Sequence, residues 1–201
     1  MIELVARPEK LGYDAEKQEK NVTEEGRLAA LEARIATLED EQAIARVLAD
    51  YSLALDWLDD GTLDRVFWDD AEIDYGFFKG SGADFKPILM EVERSMGRRW
   101  HFTSQLRTAI EGNSARVTGY NLSLATDGVA STEDSRLTGF FGFYNDRMEK
   151  RDGRWAIAGR KHILVAGTDL PDTAITGDLS ALNTIGATGT DHPDFASLPI
   201  A

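Results

Sequence analysis

The sequence has no cysteine and only three histidines among its 201 residues. The missing cysteine excludes a disulfide framework, a thiolate nucleophile and a cysteine metal site. No apolar run approaches the roughly 20 residues of a membrane span, and the first residues lack the basic-then-apolar layout of a signal peptide. We therefore expect a cytoplasmic protein with no membrane partner.

Basic residues are also scarce: 22 Lys and Arg face 35 Asp and Glu, for a formal net charge of −13. Such a surface repels phosphate backbones and anionic lipid head groups, which argues against nucleic acid as a partner. The hydrophobic content of 42% is enough for one domain with a sizeable core.

Apolar residues recur at helical spacing from Thr23, a typical N-cap residue. The pattern predicts one long helix, or two in series, from the following positions: Leu28, Leu31, Ile35, Leu38, Ile44, Val47, Leu48, Tyr51 and Leu55. Its first half suits packing against another subunit and suits a docked surface helix equally well.

The rest of the chain predicts two further helices, near 63–68 and 85–96, with a strand at 71–77 between them. Longer strands then follow at about 99–111, 114–127, 136–150 and 154–166. Helices first and a long meander afterwards indicate an α+β domain with a curved antiparallel sheet wrapped on the N-terminal helices. We expect an N-terminal arm over 1–22, a domain over 23–166, and a tail or lid over 167–201.

Four motifs resemble the NTF2-like superfamily and its SnoaL-like branch, over about residues 28–166. They are Tyr51-x4-Asp56, Phe67-Trp68-Asp69-Asp70-Ala71-Glu72, Trp100-His101-Phe102-Thr103 and Tyr144-x5-Lys150-Arg151-Asp152-Gly153-Arg154-Trp155. Within that branch the pattern is similar to cofactor-independent lyases: scytalone dehydratase, hexachlorocyclohexane dehydrochlorinase, bile-acid 7α-dehydratase and sphingomonad lyases of lignin-derived diaryls. The resemblance implies the NTF2-like cone and no cofactor.

The resemblance also implies a catalytic set. The dehydrochlorinase pairs a helix-end Asp with a strand His, which match Asp56 and His101, and the bile-acid enzyme adds a Tyr that matches Tyr51. In this arrangement His101 is the base, and Asp56 fixes its tautomer and favours the imidazolium. Tyr51 would donate a hydrogen bond to a carbonyl or a leaving hydroxyl.

Further residues are candidates for substrate binding. Strand alternation puts Thr103 and Gln105 on the face of His101. The later strands add Arg136, Phe141, Phe143, Tyr144, Lys161 and His162. Aromatic walls with a few polar groups suit a flat hydrophobic or phenolic molecule. We expect no metal, because the acidic pairs at 59–60 and 69–70 have no histidines at ligand spacing.

The sequence thus favours a lyase that eliminates water, halide or a carbonyl fragment from a hydrophobic cyclic or phenolic substrate, lignin-derived compounds among them. An isomerase or polyketide-cyclase-type enzyme uses the same base, and a non-catalytic ligand-binding or assembly module has the same fold. The broad outer face of a bent sheet favours a homodimer or homotrimer.

Overall fold

The computed structural model describes residues 23–132 and 134–200, so the predicted arm over 1–22 lies outside the described residues. The helices are α1 (Glu24–Trp57), α2 (Asp60–Val66) and α3 (Gly82–Arg94). The strands are β1 (Phe67–Asp74), β2 (Lys79–Ser81), β3 (Arg99–Glu111), β4 (Ser114–Thr126), β5 (Arg136–Arg151) and β6 (Arg154–Pro171). Two short 3-10 helices follow, at Gly177–Ala181 and Phe195–Ser197.

The six strands form one sheet in the order β2-β1-β6-β5-β4-β3. Strands β3 to β6 are the predicted antiparallel meander, and the predicted α+β architecture is confirmed. The sheet is mixed rather than antiparallel throughout, because β1 lies parallel to β6, with Ile73 opposite Arg160. The two strands are far apart in sequence, so no tight turn dictates their direction.

The chain divides into two compact units between Leu38 and Glu39, within α1. In the first unit the structure describes residues 23–38, where α1 begins. The apolar side chains of this part of the helix are exposed: Leu28, Leu31, Ile35 and Leu38. Subunit packing of this stretch therefore stays a prediction.

The second unit contains the sheet, α2, α3 and the rest of α1. From Ile44 onward, α1 buries Leu48, Tyr51 and Leu55 in a core shared with β1, β5 and α3. Full burial of one such aliphatic side chain is worth about 1.5–3 kcal/mol. Among the described residues, no helix combines the length and the apolar character that crossing a bilayer requires.

Two local features set which side chains face inward. Asp152 and Gly153 have φ of 51° and 81°, and they form the tight turn that the sequence predicts between β5 and β6. In β3, Gln105 has φ of 52° and lies in a β-bulge, where the register with β4 shifts. The bulge reverses the alternation, so Leu106 and Ile110 pack on the core beyond it.

Candidate active site

Asp56 and His101 meet where the end of α1 approaches β3. The Asp56 Oδ1 atom lies 2.7 Å from His101 Nδ1, and its Oδ2 atom accepts a hydrogen bond of 3.1 Å from the His101 backbone N–H. With the Asp56 oxygen as the acceptor, Nδ1 is the donor of this hydrogen bond, and Nε2 is the ring nitrogen that remains. The pair has the orientation that the sequence predicts for a base and its supporting acid.

The C-terminal tail packs against the end of α1. Thr188 Oγ1 donates to the Asp56 carbonyl oxygen and accepts a hydrogen bond of 2.9 Å from Arg99. The Trp57 ring lies 5.8 Å from the ring of Phe195. The described tail residues fix the backbone of the acid, but none of them lines the cavity into which His101 projects.

Glu93 of α3 is a second carboxyl group at the imidazole, and the sequence analysis missed it. Its Oε1 atom lies 3.6 Å from His101 Nε2, and its side chain is 5% exposed. Its Oε2 atom is buried without a hydrogen-bond partner among the described residues. The available signal was position, since Glu93 follows Leu89 by four residues on the apolar face of α3.

The two carboxyl groups change the acidity of the imidazole. Burial lowers the pKa of His101, but the hydrogen bond to Asp56 and the charges of Glu93 and Asp56 outweigh it, so the pKa is raised overall. Burial raises the pKa of Glu93 against the opposing charges of His101 and Arg99. Both shifts favour the protonated form of the group, the imidazolium of His101 and the neutral carboxyl group of Glu93.

A cavity of about 430 Å³ lies between α3 and the sheet face that carries His101. Its apolar lining comprises Phe77, Leu89, Val92, Met96, Leu124, Ala125, Phe140 and Leu164. Its polar lining comprises Tyr75, Glu93, His101, Asn121, Ser123, Tyr144 and His162. The cavity is thus a mainly apolar site with a few polar groups, typical of small organic ligands.

Three tyrosines form a hydrogen-bonded chain that ends at the cavity. Tyr75 donates a hydrogen bond of 3.0 Å to Tyr144, so the 2.8 Å contact between Tyr51 and Tyr75 has Tyr51 as its donor. Tyr144 lines the cavity, and its hydroxyl oxygen is the acceptor at the end of this chain. Tyr51, predicted to contact a ligand directly, is instead buried behind the lining, with its hydroxyl group on Tyr75.

A buried ion pair lies beneath this chain. Arg160 forms two hydrogen bonds with Asp146, of 2.8 and 2.7 Å, and its guanidinium lies 4.0 Å from the centre of the Tyr144 ring. Burial raises the pKa of Tyr144, whereas the Arg160 charge and the hydrogen bonds of Tyr75 and Tyr51 oppose that rise. Tyr144 is consequently a stronger hydrogen-bond donor than burial alone would make it.

His162 lines the cavity on the other side of Tyr75. The two rings are stacked, with centroids 4.6 Å apart and an interplanar angle of 12°. Burial and the nearby Arg160 lower the pKa of His162. His162 therefore presents a neutral imidazole, whereas the pKa of His101 moves in the opposite direction.

The other predicted binding residues do not line the cavity. Thr103 lies 3.5 Å from the Ser52 hydroxyl, and Gln105 is displaced by the bulge. Of the six predicted positions on β5 and β6, Tyr144 and His162 line the cavity. Strand alternation turns Phe141, Phe143 and Lys161 away from it, and Arg136 pairs with Asp169 at the exposed end of β5.

The structure adds polar residues that the sequence analysis did not select. Asn121 lies opposite Thr103, and its Oδ1 atom is buried without a hydrogen-bond partner among the described residues. Tyr75 links the other two tyrosines. Across the described part of the chain, no three acidic or histidine side chains converge in a way that could hold a metal ion.

Comparison with known proteins identifies the family. The family model described as the SnoaL-like domain matches residues 36–161. The chain belongs to the SnoaL-like domain family. The predicted NTF2-like fold is therefore confirmed. The match begins in the middle of α1 and ends within β6.

Solved structures support the fold of this SnoaL-like domain. The hexachlorocyclohexane dehydrochlorinase LinA-type3 from Novosphingobium barchaimii is 22% identical, with a TM-score of 0.61 over 72% of this chain and 99% of that one. A scytalone dehydratase-like protein from Novosphingobium aromaticivorans is also 22% identical, with a TM-score of 0.57 over 78% of this chain and 96% of that one. None of the curated proteins matches the sequence significantly. The fold is thus one that dehydrochlorinases and dehydratases use.

Proposed function

We propose that this SnoaL-like protein is a cofactor-independent lyase that eliminates water, halide or a carbonyl fragment from a hydrophobic cyclic or phenolic molecule. The observation that carries the proposal is the hydrogen-bonded Asp56–His101 pair beside an apolar cavity. A positioned base of this kind accelerates proton removal by roughly 10²–10⁴-fold.

In the first step, His101 Nε2 takes a proton from a carbon next to a carbonyl group. Asp56 keeps the Nδ1 proton in place and stabilises the imidazolium that forms, because its charge lies 2.7 Å away. The apolar lining keeps water away from the reacting atoms, which strengthens both interactions.

The negative charge that leaves the carbon moves to the carbonyl oxygen. Tyr144 donates a hydrogen bond to this oxygen, and Tyr75 and Tyr51 supply it with further hydrogen bonds in series. Such donors act most strongly where charge develops in the transition state. In this proposal the cavity supplies both the base, His101, and the oxyanion donor, Tyr144.

The experiment that tests the function is hydrogen exchange of a simple cyclic ketone in D₂O. Indanone has acidic hydrogens beside its carbonyl, and proton NMR follows their replacement by deuterium. We expect the protein to accelerate the exchange, and a protein without the His101 imidazole to lose it. Binding of indanone without any exchange would instead indicate the non-catalytic ligand-binding alternative.

Removing the Tyr144 hydroxyl tests the oxyanion donor. We expect Tyr144→Phe to slow indanone exchange by about 10²–10³-fold, the usual cost of one lost oxyanion donor. The rate is measured by the same NMR assay at saturating and subsaturating ketone. Phe140→Leu is the matched control, since it changes the wall without removing a donor, and an equal loss in both variants would contradict the assignment.

Isomerisation and aldol-type cyclisation begin with the same proton removal, so exchange alone does not separate them from elimination. The products separate them: a lyase releases water, halide or a carbonyl compound, whereas an isomerase or cyclase releases none. Mass spectrometry of the reaction mixture therefore decides between lyase and isomerase.

We also propose that the chain assembles as a homodimer or homotrimer through the sheet face opposite His101. Four aromatic side chains on that face are 41–59% exposed: Trp100, Phe102, Tyr120 and Phe141. A contiguous apolar patch of this kind favours burial against another subunit. We expect Phe102→Glu to shift the protein to monomer in light scattering after gel filtration, whereas Glu91→Lys, at an exposed position of α3 on the other side of the sheet, leaves the oligomer intact.

A further inference from the structure

Glu93 has no role in the first step of the proposed lyase reaction, although it lines the same cavity as His101. Its carboxyl group is buried in a wall formed with Leu89, Val92 and Met96, and it lines the cavity. Its Oε2 atom has no hydrogen-bond partner within residues 23–132 and 134–200. A buried carboxyl oxygen without a partner is costly, so its place in an otherwise apolar wall points to a partner supplied by the ligand.

The position of Glu93 relative to His101 is equally specific. Oε1 lies 3.6 Å from His101 Nε2, too long for a hydrogen bond and short enough for two groups to act on neighbouring carbons of one ligand. One proton can reside on either group. Neutral His101 with protonated Glu93 has the same net charge as imidazolium with carboxylate, so moving the proton between them leaves the charge of the cavity unchanged.

We propose that Glu93 is the catalytic acid that protonates a leaving hydroxyl group, so that the substrates are uncharged cyclic β-hydroxy carbonyl compounds. This inference rests on the proposed function and specifies the leaving group. We choose hydroxyl as the leaving group because hydroxide leaves poorly unless an acid such as Glu93 protonates it, whereas halide leaves without a proton.

The proton balance closes without a cofactor. His101 Nε2 takes the proton of the α-carbon as the C–H bond breaks, and the electron pair forms the enolate. The enolate then forms the carbon–carbon double bond and breaks the C–O bond, while the oxygen takes the proton of Glu93 and leaves as water. The released water finally relays the Nε2 proton of the imidazolium to the Glu93 carboxylate, which restores both groups.

The charge of the cavity selects the same class of substrate. No Lys or Arg is among the residues that line the cavity in the described chain, and Arg160 is buried behind the tyrosines as the partner of Asp146. A carboxylate or phosphate ligand would therefore meet the Glu93 carboxyl group without a Lys or Arg among the lining residues to offset its charge. An uncharged ring with one carbonyl and one hydroxyl gives a partner to both Tyr144 and Glu93.

The test compares two leaving groups on the same ring. The β-hydroxy and β-bromo derivatives of indanone both eliminate to indenone, which is followed by absorbance. We expect Glu93→Gln to slow water loss by at least about 10²-fold, because the acid is lost. Bromide loss should slow only a few-fold, because the change removes only the effect of the Glu93 charge on His101. The ratio of the two rates therefore changes by more than tenfold. Glu91→Gln, at an exposed position of the same helix, should leave both rates as they are.

Each outcome decides the inference. An equal slowing of both reactions in Glu93→Gln overturns the acid role and leaves Glu93 a structural residue, as does water loss at the parental rate. Restoration of water loss in Glu93→Ala by added formate supports the acid role in a variant of different size, and circular dichroism establishes that the variants fold. Failure of the parent protein to exchange indanone hydrogens overturns the proposed function itself, and the acid role with it.

Discussion

Replacing His101 by alanine is expected to slow hydrogen exchange and elimination by about 10²–10⁴-fold, because the chain then has no base at the reacting carbon. His162, the other cavity histidine, stacks on Tyr75, and its lowered pKa makes it a weaker base than His101, whose pKa is raised. NMR exchange and indenone formation measure the loss. Retention of the rate within tenfold would contradict the proposed base.

Replacing Asp56 by asparagine tests the other member of the Asp56–His101 pair. The hydrogen bond to Asp56 and its charge raise the pKa of His101, so the variant should have a lower pKa at this imidazole. Because the base works in its deprotonated form, the acidic limb of the rate profile moves to lower pH. The plateau also falls, since the tautomer is no longer fixed.

A pH–rate profile of kcat/KM for indanone exchange checks both effects at once. Glu41→Gln, at an exposed position of α1, is the matched control and should leave the profile unchanged. A fall in the plateau without a shift of the limb would mean that Asp56 only holds the backbone of β3. Thermal unfolding establishes that the variant is folded at the assay temperature.

The elements that the sequence predicts best are those whose signals are local. The helical spacing up to Leu55 and the turn at Asp152 and Gly153 depend on neighbouring residues, and the structure has both. The parallel pairing of β1 with β6 depends on residues more than eighty positions apart, as in Ile73 opposite Arg160. The residues of each strand alone do not indicate which other strand it pairs with.

The site divides in the same way. The resemblance to known lyases selected Asp56 and His101, and the structure brings them together. Glu93 was missed because charged residues of helices usually face solvent, and only the complete fold buries this one. Gln105 was misplaced because alternation assumes an unbroken strand, whereas β3 contains a bulge.

Breaking the buried ion pair beneath the tyrosines is expected to have the largest effect on stability. Arg160 and Asp146 have side chains that are 0% and 2% exposed. Asp146→Asn leaves the guanidinium buried without an opposing charge, which typically costs about 3–5 kcal/mol. For a chain of this length, that cost lowers Tm by roughly 6–20 °C. Chemical denaturation and thermal unfolding measure it.

The double variant Arg160→Met with Asp146→Leu separates stability from function. Replacing both partners by apolar groups removes two desolvated charges together, so the free energy of unfolding should return to near or above the parental value. Indanone exchange should nevertheless be slower than in the parent protein, because the guanidinium no longer lies 4.0 Å from the Tyr144 ring to favour hydrogen-bond donation. If the double variant regained both stability and exchange rate, the pair would be a packing feature without a role at the oxyanion donor.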